Sequence, residues 1–212
     1  MLTVFDNAAD FQNALRNECD INLSVTGQVP FRARLTRISL AHMHLVAVDE
    51  SVARVAVLRV PDGMVRVSLP VRGGCTWVID EIVPSAADLL IHGSGRHLHE
   101  RIDGACRWRT IWLRAHDLAL HVRTMTGRSF AVPDGMDVWR PKKDALKSLI
   151  SVYDAAMRMT WGDPGIFVDA QAARGLEEQI IVALTDCLQP PEIAVRKATR
   201  GAPARAHLPM RR

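Results

Sequence analysis

A change of period divides this chain. From Phe31 to Arg114 apolar residues come in short runs, with turn signals about every ten residues. From His116 to Leu188 they recur at three- and four-residue spacing. The first pattern is that of strands and the second that of helices. Short, regularly spaced strands close into a sandwich or barrel. The expected class is therefore α+β: an antiparallel barrel or double sheet followed by a C-terminal helical hairpin. Four regions follow: 1–30, a lead-in with one helix; 31–114, the strand region; 115–189, the helical region; and 190–212, a basic tail.

The punctuation supports this division. Pro61-Asp62-Gly63 precedes Met64–Leu69, where Val65, Val67 and Leu69 alternate with Arg66 and Ser68. Such alternation predicts one dry face and one wet face. Strand signals also cover His42–Val48, Val52–Val60, Cys75–Ile79, Asp88–His92, His97–Ile102 and Cys106–Arg114. Asp103-Gly104 predicts a tight hairpin between the last two. The stretch from Pro133 to Trp139 is expected to be a linker. Pro141 suits the first turn of a helix with the stripe Leu146, Leu149, Ile150, Tyr153 and Met157. A second stripe holds Ala173, Leu176, Ile180, Leu184, Cys187 and Leu188. Because a barrel can cover only part of two such stripes, an isologous pairing through 142–160 and 170–188 is expected. Its candidate interface residues are Leu146, Leu149, Ile150, Tyr153, Met157, Leu176, Ile180 and Leu184.

Composition excludes several classes. Hydrophobic residues make up 48% of the 212, enough for a folded core. Cys19, Cys75, Cys106 and Cys187 form no CxxC pair and read as small apolar fillers in a reducing compartment. No signal region opens the chain and no apolar run is long enough to span a bilayer, so a cytoplasmic location without membrane contact is expected. The net charge of +4 is unevenly placed. The tail holds Arg196, Lys197, Arg200, Arg205, Arg211 and Arg212 against Glu192, so the rest is nearly neutral and offers no broad basic face.

Candidate chemistry is sparse. His42-Met43-His44 and His97-Leu98-His99 are HxH pairs, each able to place two rings on one strand face. Metal binding would need a carboxylate on the same face. Glu100 directly follows His99 and points the other way, while Glu50 is expected to lie past the end of its strand. No GxSxG, Walker-type or HExxH sequence occurs. The reading is non-enzymatic, with no metal and no cofactor. Trp108 and Trp112 lie four apart on one strand, with Cys106 and Thr110 on their side and Arg107, Arg109 and Ile111 on the other. If the barrel holds a small molecule, Trp77, His99, Trp108 and Trp112 are the candidate lining.

The segments FRARLTRISLAHMHLVAVDES, ARVAVLRVPDGMVRVSLPVRGG, HERIDGACRWRTIWLRAHDLA, Gly127-Arg128 and LEEQIIVALTDCL together resemble the N-terminal sensing half of AraC/XylS-type transcriptional regulators. The resemblance covers most of Phe31 to Leu188. It implies a cupin-like β-barrel that senses a small-molecule effector, and helices that form a homodimer. Full-length members continue into two helix-turn-helix units. The stretch after Leu188 is short and carries Pro190, Pro191, Pro203 and Pro209, so this chain alone is expected to lack the DNA-binding domain and sequence-specific DNA binding. Two alternatives remain: a metal-dependent cupin enzyme, and a freestanding interaction protein that forms mixed dimers with full-length regulators.

Overall fold

The central sheet has both faces covered, and this governs the rest of the architecture. The computed structural model describes residues 1–189 apart from Gln28, Gly73 and the side chain of Arg72. The basic tail lies outside the described residues. In chain order the elements are β1 (Leu2–Phe5), α1 (Ala8–Leu15), β2 (Asp20–Val25), β3 (Ala33–Ser39), β4 (Met43–Glu50), β5 (Arg54–Arg59), β6 (Met64–Arg72), β7 (Trp77–Ile79), β8 (Leu89–His92), β9 (His97–Ile102), β10 (Cys106–Arg114), α2 (Ala115–Thr126), β11 (Met136–Trp139), α3 (Lys143–Gly162) and α4 (Ala170–Cys187). Among the described residues the strands form two antiparallel sheets, ordered β1-β3-β4-β10-β6-β8-β11 and β2-β5-β9-β7.

Two cores result. Between the sheets, Leu35, Val46, Val48 and Leu90 meet Ile21, Ala56, Leu58, Leu98 and Ile102, with Phe11 and Leu15 of α1 joining them. On the other side of the large sheet, Leu45, Val65, Val67, Ile91, Ile111 and Leu113 meet the three long helices. Period-2 alternation delivers the inner strands of the large sheet to both cores at once. Val65, Val67 and Leu69 face the helices, while Arg66 and Ser68 face the inside of the sandwich and are themselves buried. The face expected to be wet is thus the barrel interior.

Three sequence expectations need correction. Strands precede Phe31: β1 edges the large sheet and β2 the small one, so residues 1–30 are part of the barrel rather than a lead-in. Asp103-Gly104 is not a hairpin, because β9 pairs with β5 and β7 while β10 pairs with β4 and β6. The segment carries the chain from one sheet to the other, and the Asp103 carboxylate accepts from Thr76 N–H at 2.6 Å. The expected linker at Pro133–Trp139 contains β11, which pairs with β8. Gly93 is required at that junction: a Cβ there would lie 1.9 Å from the Pro133 carbonyl oxygen.

The helices end where their residues dictate. Asn7 caps α1 and Asp169 caps α4 through side-chain oxygens, and Gly127 ends α2 at φ +70°. Their apolar stripes are used within the chain. Leu146, Leu149, Tyr153, Met157, Leu176, Ile180 and Leu184 are buried between α3, α4 and the sheet, with Ile150 half-buried beside them. Those side chains are therefore not available to a partner helix. The outward positions of the helical layer instead carry exposed Leu120, Met125, Met159 and Val182.

Leu149 and Leu184 have no exposed surface. Leu149→Ala should lower the unfolding free energy by about 2–5 kcal/mol, as burial loss and a cavity combine. Urea denaturation with the m-value unchanged checks it. A loss below about 1 kcal/mol would show that the helical layer is loosely packed.

Candidate functional site

Strand alternation places two arginines inside the sandwich, where a charge must be paired. Arg54 of β5 donates through Nε to both Glu50 oxygens, at 3.1 and 2.9 Å, and reaches Glu100 Oε2 at 3.4 Å. Arg66 of β6 donates to Glu100 Oε1 at 2.7 Å. All four side chains are buried. Glu50 is the last residue of β4, on the same face as His44, Val46 and Val48, and not past the strand end as its position suggested.

Trp108 and Trp112 belong to this interior. Trp108 Nε1 donates to Glu50 Oε1 at 2.9 Å, and the Arg54 guanidinium lies 5.9 Å from its ring centroid. Trp112 Nε1 donates to Thr110 Oγ1 at 2.9 Å, with Arg66 5.7 Å from its ring. Both distances suit a cation–π contact. Ser68 Oγ lies 3.1 Å from His92 Nε2 in the same space. Four polar atoms here make no hydrogen bond with the described residues: His44 Nδ1, Arg66 Nε, Trp77 Nε1 and His92 Nδ1. Each such atom costs about 1–3 kcal/mol when left unmatched. At the end covered by Leu15 and Cys19 a residual cavity of about 20 Å³ touches Arg54, Arg66, Glu100, Trp108 and Trp112.

Of the four lining candidates, the structure brings Trp77, Trp108 and Trp112 into the inter-sheet core. It does not bring His99, which is exposed on the outer face of the small sheet. There it borders a shallow concavity with Val57, Glu81 and Arg101. The period-2 rule decides this: Leu98 and Glu100 point inward, so His97 and His99 point outward. His42 is exposed before β4, while His44 faces the interior with one nitrogen buried, so the two HxH pairs do not converge. Among the described residues no group of three or more His, Cys, Asp or Glu is placed to hold a metal ion. The sequence reading missed Glu50, Arg54, Arg66, Glu100, Ser68 and His92 as site residues. Arg66 and Ser68 opposite an apolar triplet were the available signal, read for the wrong side.

Burial sets the protonation states. Burial first, then the Arg66 charge, holds the His92 imidazole well below its ordinary 6.5, so the ring is neutral. Burial pushes the Glu100 carboxyl up, but Arg66 and Arg54 together hold it below its ordinary 4.5. Glu50 faces one guanidinium rather than two, and burial raises it. The Cys19 and Cys187 thiols are pushed up to about 12 by burial, which suits inert fillers. Among the described residues no helix is long and apolar enough to cross a membrane.

The fold has a counterpart among solved structures. The chain superposes on the AraC-like transcriptional activator CuxR with a TM-score of 0.62 and 14% identity, over 95% of this chain and 73% of that one. At this identity the likeness shows the fold alone: an α+β sandwich with a C-terminal helical layer, as in the AraC-like protein. The hazelnut (Corylus avellana) vicilin and the Momordica charantia 7S globulin match 56% and 58% of the chain at 8% and 9% identity, over 36% and 44% of their own chains, with TM-scores of 0.19 and 0.20. Scores that low carry no argument. No protein-family model matches the sequence, and no curated protein matches it either.

The two depressed pKa values act at separate pH. The unfolded chain binds a proton on His92 near pH 6.5 that the folded chain refuses, so stability should fall as pH drops below about 6.5. The Glu100 contribution is complete above pH 4.5 and is lost as pH falls through its lower folded value. His92→Asn should remove the upper limb. Glu100→Gln should flatten the lower limb and cost about 3–5 kcal/mol at neutral pH, because Arg54 and Arg66 lose a shared partner. Urea midpoints measured across pH check both. An unchanged profile in either variant would show that the group titrates alike in both states.

Proposed function

We propose that this chain is the effector-sensing and dimerisation region of an AraC-type transcriptional regulator, and that the effector is a small polar organic molecule held between the two sheets. One observation carries the reading: the inter-sheet space holds three tryptophans, two ion-paired arginines and four polar atoms unmatched among the described residues. A β-sandwich needs none of these to be stable, since well-packed apolar residues of similar volume serve at least as well as a buried ion pair. A ligand with donors and acceptors is the partner such a lining suits. The AraC-like fold supports the assignment. The interior is nearly filled, so entry requires a movable wall. The element suited to this is α1, which holds on through Phe11 and Leu15 and through the Arg37 guanidinium, bonded to Glu18 and to the Ala14 carbonyl.

Screening polar metabolites by tryptophan emission tests the site. A true effector should shift emission, and Trp108→Ala and Glu50→Gln should each weaken its binding by about tenfold or more. Full affinity in both variants would place the effector elsewhere.

The proposed homodimer uses the outward surface of the helical layer, not its buried stripe. Light scattering at micromolar concentration should give twice the chain mass. Val182→Glu should return it to a monomer that remains folded by circular dichroism. A wild-type monomer would remove dimerisation from the reading.

DNA recognition is proposed to lie outside these residues, because the chain without its tail is near neutral and only the basic segment 190–212 would contact phosphates. Anisotropy titration at physiological salt should show weak, salt-sensitive binding without sequence preference. Nanomolar selective binding would contradict this.

A further inference from the structure

On the far side of the large sheet from the proposed effector, α3 leaves a cleft of about 530 Å³ against β3, β4 and β10. Its charges do not balance. The buried Arg109 donates to the Asp154 carboxylate at 2.7 Å and to the Pro70 carbonyl at 2.9 Å, while its Nε–H has no partner among the described residues. Arg107 is paired with Asp49 at 3.1 Å. Each lining aspartate thus already has an arginine. Arg34 on the sheet and Arg158 on the helix line the same cleft and make no ion pair or hydrogen bond with the described residues. Among the described residues two guanidinium charges and one buried N–H are left over.

An aromatic ring borders the same space. Trp161 is 56% exposed, an unusual position for a large apolar side chain, yet it is not loose: its Nε1 donates to Thr36 Oγ1 across to β3 at 3.0 Å. A tethered, exposed indole offers a stacking surface for a flat ring. A guanidinium fork can pair two N–H groups with two of the tetrahedral phosphate oxygens, and two surplus positive charges match a dianion.

We propose that this cleft is a second ligand site, binding a phosphomonoester carried on a flat ring, with Arg34 and Arg158 on the phosphate and Trp161 on the ring. The proposal rests on Arg34, Arg158 and Trp161, none of which lines the interior cavity, while Trp108 borders both spaces.

Phenyl phosphate is the probe. Added to the full chain, it should quench tryptophan emission saturably and give a calorimetric isotherm. Arg34→Ala and Arg158→Ala should each weaken binding by about tenfold, the loss of a charge-assisted contact. Trp161→Ala should weaken it and abolish the quenching. All three residues are exposed, so circular dichroism should show these variants folded. Inorganic phosphate should bind at least about tenfold more weakly than phenyl phosphate, and benzyl alcohol not at all. Arg34 and Arg158 line this cleft and not the interior cavity, so the effect of their variants separates this site from the interior one. No binding at millimolar phenyl phosphate, or binding indifferent to both arginine variants, would overturn the proposal. Equal affinity for inorganic phosphate would remove the ring from it and overturn it in that form.

Discussion

Two guanidinium groups lie between the sheets of this protein, and the sandwich is arranged around keeping them paired. Arg54 sits on the small sheet and its partner Glu50 on the large one; Arg66 sits on the large sheet and its partner Glu100 on the small one. Glu100 also touches Arg54, closing the set into one network. Each strong pair therefore crosses from sheet to sheet. Apolar contacts alone tolerate sliding of one sheet over the other, because many registers bury similar area. A charged network does not, since a displaced guanidinium would be left buried and unmatched at a cost of about 3–5 kcal/mol. The network adds little net stability over an apolar core, but it ties the two sheets to one relative position.

Strand β10 connects this interior to the helices. Its inward side chains are Trp108, bonded to Glu50, and Trp112, beside Arg66. Its outward side chains include Arg109, paired with Asp154 of α3, and Ile111 and Leu113, packed in the helical core. The Thr110 carbonyl accepts from Tyr153 Oη at 3.4 Å. Neighbouring residues of one strand thus belong to opposite layers. Close-packed cores transmit displacement rather than absorb it. Movement of the Trp108 ring toward or away from a guest would be felt at α3 without any long relay.

The sequence made the period change, the order of elements and the pairing of Trp108 with Trp112 legible, because these are local properties. It did not reveal which face of a strand is solvated. Alternation of Val65, Val67 and Leu69 with Arg66 and Ser68 looks the same whether the polar side meets water or a closed interior. Only the second sheet decides, and it comes from strands distant in the sequence. The same limit explains Asp103-Gly104: a turn dipeptide marks a reversal of the chain, not the sheet to which the next strand belongs. β1 and β11 were missed because each is four residues long and held by tertiary pairing rather than by its own composition. The helical stripes were read correctly as apolar, but their partner was not. Periodicity shows that a face must be covered; it does not say whether the cover is the chain's own sheet or another molecule.

That last distinction bears on how the helical layer can serve an assembly. With the stripes of α3 and α4 committed inward, the inner face of the layer is fixed by the sheet, and the outer face carries few apolar groups among many polar ones. A partner docked on the outer face would rest on helices whose tilt is set by the packing of Leu149, Tyr153 and Leu184. Such a partner gains no energy from the core itself, but its contact geometry follows any rearrangement of that core. Separating the face that holds the fold together from the face that meets a partner allows the contact to respond to the interior without requiring the fold to come apart.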